Sequence, residues 1–62
     1  MYIVYRDEIG KVCVEVDGCV SFSDGFAYFT IGYVIDDAGG ASIAGTDMKI
    51  DVKEVLEIGT SF

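Results

Sequence analysis

The side chains able to do chemistry in this 62-residue chain are almost all carboxylates: eleven acids stand against Arg6, Lys11, Lys49 and Lys53, for a formal charge of −7. There is no histidine, so no imidazole can act as general base, activate a serine or cysteine, or ligate a metal. Ser21, Ser23, Ser42 and Ser61 have no base beside them in sequence. Cys13 and Cys19 are the two thiols, and Lys11, on the strand face of Cys13, is the one cation near either. Six residues apart, with no histidine to complete a set, they do not form a zinc pattern. Free thiols that pack as small apolar groups are the expectation, and with them a chain that is not an enzyme and carries no cofactor.

A second possible chemistry lies in DDAGGASIAGT, residues 36–46, the one long connection. Asp36, Asp37 and Asp47 bracket Gly39 and Gly40, and could converge on a hard cation. The order of acids that an EF-hand requires is absent, however. The glycines could expose N–H groups to a phosphate, but no lysine follows at P-loop spacing and three aspartates would repel the anion. Acids on a solvated loop are the simpler reading. A small-ligand, nucleotide or metal site here is the alternative.

The third resource is aromatic. Most of the eight aromatic residues must fill a core. Phe22, Tyr28, Phe29, Ile31 and Tyr33 are the candidates for an interface, tyrosine being a stiff anchor that tolerates water at its hydroxyl. The acidic balance leaves no basic stripe for nucleic acid and nothing to attract an anionic membrane. It suits a protein partner with a basic surface. No apolar run approaches the ~18 residues of a membrane span, and Met1 leads into a strand pattern without a signal sequence. A cytoplasmic location is the expectation.

The elements that position these groups read as β-strands. Tyr2–Arg6 is the first, and Asp7–Gly10 a turn. Within VCVEVDGCVSFSDGFAYFTI, residues 12–31, two Asp-Gly pairs predict type I′ turns at Asp17-Gly18 and Asp24-Gly25, hence a three-stranded meander. In that register Val16 faces Cys19 and Val14 faces Ser21, while Ser23 faces Phe26 and Phe22 faces Ala27. Period two then puts Val12, Val14 and Val16 on one face and Phe22, Phe29 and Ile31 on the other, so both faces need cover. The third strand is expected to run from Phe26 to Ile35, bent at a bulge on Gly32.

Met48, Ile50 and Val52 alternate with charged residues as in a half-buried strand. Asp51 and Glu54 have the spacing of a capping box. A single helical turn near residues 51–55 therefore precedes a last short strand through Val55, Leu56 and Ile58. This tail, IDVKEVLEI, resembles the closing segment of small SH3-like barrels, where a one-turn helix joins the last two strands. The resemblance covers nine residues and local shape. The chain has no proline and no tryptophan, so the residues of an SH3 peptide groove are not carried over.

The expected fold is one small all-β domain, an antiparallel meander closing into an SH3-like or similar small barrel. With 52% apolar residues and little interior to hide them, it is expected to form a homo-oligomer. The expected function is a non-catalytic acidic interaction module: a stand-alone inhibitor or adaptor in the style of phage or mobile-element proteins, one that could mimic nucleic-acid charge. A structural subunit of a larger assembly is the other alternative.

Overall fold

The computed structural model describes residues 1–8, 10–37 and 43–60. Five antiparallel strands form one sheet: β1 (Tyr2–Arg6), β2 (Lys11–Ser23), β3 (Phe26–Asp37), β4 (Asp47–Asp51) and β5 (Val55–Gly59), with a 3-10 turn at Val52–Glu54. Their spatial order is β4-β3-β2-β1-β5. Asp24 (φ 54°) and Gly25 (φ 81°) make the tight turn between β2 and β3, and Ser23–Phe26, Phe22–Ala27 and Ser21–Tyr28 pair as expected. The Asp7 turn is held by its amide donating to Gly10 O at 2.8 Å and by its carboxylate accepting from Gly10 N at 2.9 Å.

Asp17-Gly18 is not a turn. β2 continues through it, and Gly18 (φ 90°) belongs to a bulge in which Gly18, Cys19 and Val20 stand opposite Phe29. The pairings expected of a turn are absent: Val16 lies opposite Ile31, and Val14 opposite Val34. Gly32 has no partner between the Glu15–Tyr33 and Val16–Ile31 pairs, which is the bulge expected at that glycine. The outcome for the faces is large. Val12, Val14 and Val16 now share one side with Phe29, Ile31 and Ala27, and with Ile3 and Tyr5 of β1; all eight are buried. Met48, Ile50, Val34, Val20 and Val55 pack against this cluster. The rings of Tyr5 and Phe29 meet at 5.6 Å and 58°. One apolar face, rather than two, forms the core.

That face is concave because the sheet folds over on itself. Straight, the 13 residues of β2 would span roughly 40 Å, yet the longest dimension of the molecule is 28 Å. Asp51 pairs with Phe26 at the hairpin end of β2, while Val55 pairs with Tyr5 beside the other end. A flat sheet would hold these sites some 35–40 Å apart, and four residues reach at most about 14 Å. The bend at the Gly18 and Gly32 bulges closes that gap. In the turn that crosses it, Val52 N donates to Gly25 O at 3.0 Å, and the Asp51 carboxylate caps Lys53 N at 2.9 Å. No ladder pairs β4 with β5, so the sheet is curled but not closed by hydrogen bonds.

Candidate functional site

With the apolar side chains turned inward, the chemistry collects on the convex face. There the pairing writes out rows across the strands. Gly59, Tyr2, Glu15 and Tyr33 form the first row. Glu57, Val4, Cys13 and Asp36 form the second, and Arg6 with Lys11 the third. Glu57, Asp36, Arg6 and Lys11 are exposed, and Tyr33 is 57% exposed, while Val4 and Cys13 between them are buried. Glu15 accepts an ion pair at 3.0 Å from the Met1 ammonium, and the Tyr2 hydroxyl donates to the Glu57 carboxylate.

These neighbours set the acidity of the groups among them. Burial pushes the Cys13 thiol up, and the Asp36 and Glu57 carboxylates push it further; Lys11 works against them. The hydrogen bond to Glu57 raises the Tyr2 phenol, since ionisation would set two anions together. Both shifts favour the neutral form of the group.

Farther along the same face lies a groove of about 350 Å³, lined by Asp17, Cys19, Ser21, Tyr28, Thr30 and Asp47, and touched by Phe29 and Met48. Asp17 and Asp47 flank Thr30 across three strands, and the Thr30 hydroxyl donates to Asp47 at 2.7 Å. Lys49 beside it lies over the ring of Phe26, 4.4 Å from the centroid, and 6.0 Å from that of Tyr28.

Of the five interface candidates, Phe22 (59%) and Tyr33 (57%) are exposed, and Tyr28 is half-buried on the groove wall. Phe29 and Ile31 are core residues and present nothing to a partner. Of the loop candidates, Asp47 opens β4 opposite Thr30, whereas Asp36 pairs with Cys13 and Asp37 with Val12. Six positions of β3 separate Thr30 from Asp36, roughly 20 Å along an extended strand, so Asp36 and Asp47 face different parts of the surface. Gly39 and Gly40 lie outside the described residues. In the described part of this segment Ile43 is 67% exposed, while Gly45 N donates to Ile31 O (2.6 Å) and Ile31 N to Thr46 O (3.0 Å). Among the described residues no three His, Cys, Asp or Glu side chains come together to hold a metal, and no helix is long and apolar enough to cross a membrane.

Asp17 and Cys19 were not among the sequence candidates, because a turn would have placed them at a tip. Arg6 and Lys11 were also missed, although the 2–4–6 alternation of β1 puts Arg6 in line with Tyr2. The chain matches no protein-family model, no curated protein and no solved structure.

Proposed function

We propose that the chain is a non-catalytic, acidic protein-interaction module that self-associates and presents carboxylates to a partner with a basic surface. The observation that carries this reading is the composition of the convex face around the groove: Asp17 and Asp47 stand out from it beside Tyr28, with Tyr33 exposed farther along. Aromatic anchors set among like charges suit electrostatic steering followed by local burial. The self-association expected of so apolar a chain now draws support from Tyr33, a large ring left open on the convex face of a very small fold. The finer fold we infer is the SH3-like barrel, supported by the strand order and the capped 3-10 turn that carries the chain from β4 to β5.

The test is capture of binding proteins from the source lysate on immobilised chain, followed by a salt gradient. Electrostatic contacts weaken as the Debye length shrinks from about 8 Å at physiological salt to about 3 Å at 1 M. A specific partner released early in that gradient, and not retained by a D17N/D47N variant, supports the reading. Retention unchanged by salt or by charge removal counts against it.

The Asp17–Asp47 groove favours a second reading, a small-ligand site, since its volume of about 350 Å³ lies in the range of such pockets. A ligand at 100 times its dissociation constant adds about 2.7 kcal/mol of stability. Thermal shifts against nucleotides, divalent ions and organic cations would reveal one.

A further inference from the structure

We propose that the convex face centred on Val4 and Cys13 is the surface through which two copies of this chain associate, an inference that deepens the self-association above and rests on it. The second and third rows of that face carry opposite charges. Glu57 and Asp36 flank Val4 and Cys13, and one step along the strands come Arg6 and Lys11, half of the basic residues in the chain. Alternate residues on one face of a strand are about 6.6 Å apart, so the two rows form adjacent bands of opposite sign.

A face of this kind is self-complementary. A two-fold axis lying in the contact, across the strands and between the two bands, sets the basic row of each copy over the acidic row of the other. Because such an axis keeps each strand in place across the sheet, Arg6 of β1 falls over Val4 of β1 in the second copy, and Lys11 of β2 over Cys13 of β2. Their apolar stems cover Val4 and Cys13, and their charged ends reach one strand outward, Arg6 to Glu57 and Lys11 to Asp36. Four opposite-charge contacts result, two from each copy. The −7 charge of each chain opposes approach from afar, but salt confines that repulsion to about a Debye length, ~8 Å at physiological ionic strength. The groups that meet are matched in sign. A foreign basic partner on these two rows would have to displace or clash with Arg6 and Lys11, which is why the second copy is the occupant assigned here, while Asp17 and Asp47 farther along the face stay open to such a partner.

Exposed charges can be exchanged without disturbing the core, so a charge-swap pair tests the assignment directly. R6E/K11E makes the two rows wholly acidic, and D36K/E57K makes them wholly basic. Sedimentation of the full chain at sub-millimolar concentration should show a wild-type dimer and a monomer for each variant alone, with circular dichroism reporting an unchanged fold. An equimolar mixture of the two variants should recover a one-to-one dimer, several-fold tighter than wild type. A monomeric wild type overturns the inference and removes self-association from the proposed function, leaving the acidic partner surface to be judged by capture. A wild-type dimer that both variants preserve overturns the inference alone and places the contact elsewhere.

Discussion

The ring of Tyr2 occupies the space in front of Gly59: a Cβ built on that glycine would collide with Cε1, Cζ and the hydroxyl oxygen. This contact ties the N-terminal strand to the last one, and it lets the Tyr2 hydroxyl reach Glu57. Gly59→Ala should therefore push the ring off β5 and break the hydrogen bond, at a cost of about 1 kcal/mol for an intrusion that a flexible side chain can partly escape. Urea unfolding of the two single variants and the double variant separates causes. In a Tyr2→Ala background the Gly59→Ala penalty should largely vanish; a penalty that persists would belong to the β5 backbone instead.

Gly18 and Gly32 both mark bulges, but alanine should harm them for different reasons. Gly18 has φ 90° with open space around it, so Gly18→Ala strains only the backbone, by about 1–2 kcal/mol. A D-alanine introduced there by chemical synthesis suits that φ and should restore or exceed wild-type stability. Gly32 has no positive φ, but a Cβ there would lie 3.1 Å from the Glu15 carbonyl oxygen and 3.4 Å from Asp17 N. Those are backbone atoms of the bend itself. Gly32→Ala should lower the thermal midpoint by opening it, and 15N–1H shifts should move at Glu15 and Asp17. Shifts confined to residue 32 would show that the bend gives freely.

The two Asp-Gly pairs show what was legible in the sequence and what was not. At Asp24-Gly25 both residues take positive φ, and local preference and fold agree. At Asp17-Gly18 the same dipeptide would have divided the core, with Val12, Val14 and Val16 facing away from Phe29 and Ile31. Continuing the strand through a bulge pools them on one face, and burying that many side chains together outweighs the preference of one turn. Turn chemistry is local and could be read; the gain from pooling depends on β1, β3 and β4 lying around β2, which no short window contains. The capped turn at Asp51 was legible for the same reason as the Asp24 hairpin. The charged rows were not, because Glu57, Cys13 and Asp36 become neighbours only through cross-strand register.

The two thiols should differ in reactivity and in their pH signature. Cys13 is buried and its acidity suppressed by its surroundings, while Cys19 is exposed. A disulfide reagent at mild pH should consume Cys19 quickly and Cys13 only on unfolding. A thiol pKa raised in the fold favours the protonated folded state. Its contribution is complete below the ordinary thiol pKa of about 8.5 and is lost as pH climbs through the higher folded value. Wild type should thus lose stability above that range relative to Cys13→Val, whose difference from wild type should be flat below it. Equal labelling rates for both thiols in the native chain would contradict the burial.

Ile31 and Phe22 carry similar apolar mass on the same concave side of the sheet, yet one is closed off and the other open. Ile31 is 0% exposed among Val16, Phe29 and the β1 side chains, whereas Phe22, near the hairpin tip, is 59% exposed. Ile31→Ala removes buried methylenes and leaves a cavity, so a loss of about 2–5 kcal/mol is expected, enough to unfold so small a chain. Phe22→Ala removes surface that stays largely wet and should change stability by no more than about 0.5 kcal/mol. Both are read from chemical denaturation at low micromolar concentration, where a dimer contributes least. The comparison becomes sharper as concentration rises. If the contact between copies runs through the charged convex face, the Phe22→Ala effect should stay small at every concentration, because Phe22 lies on the opposite side. A penalty that grows with concentration would move the contact to the concave mouth, and R6E/K11E should then leave the dimer intact.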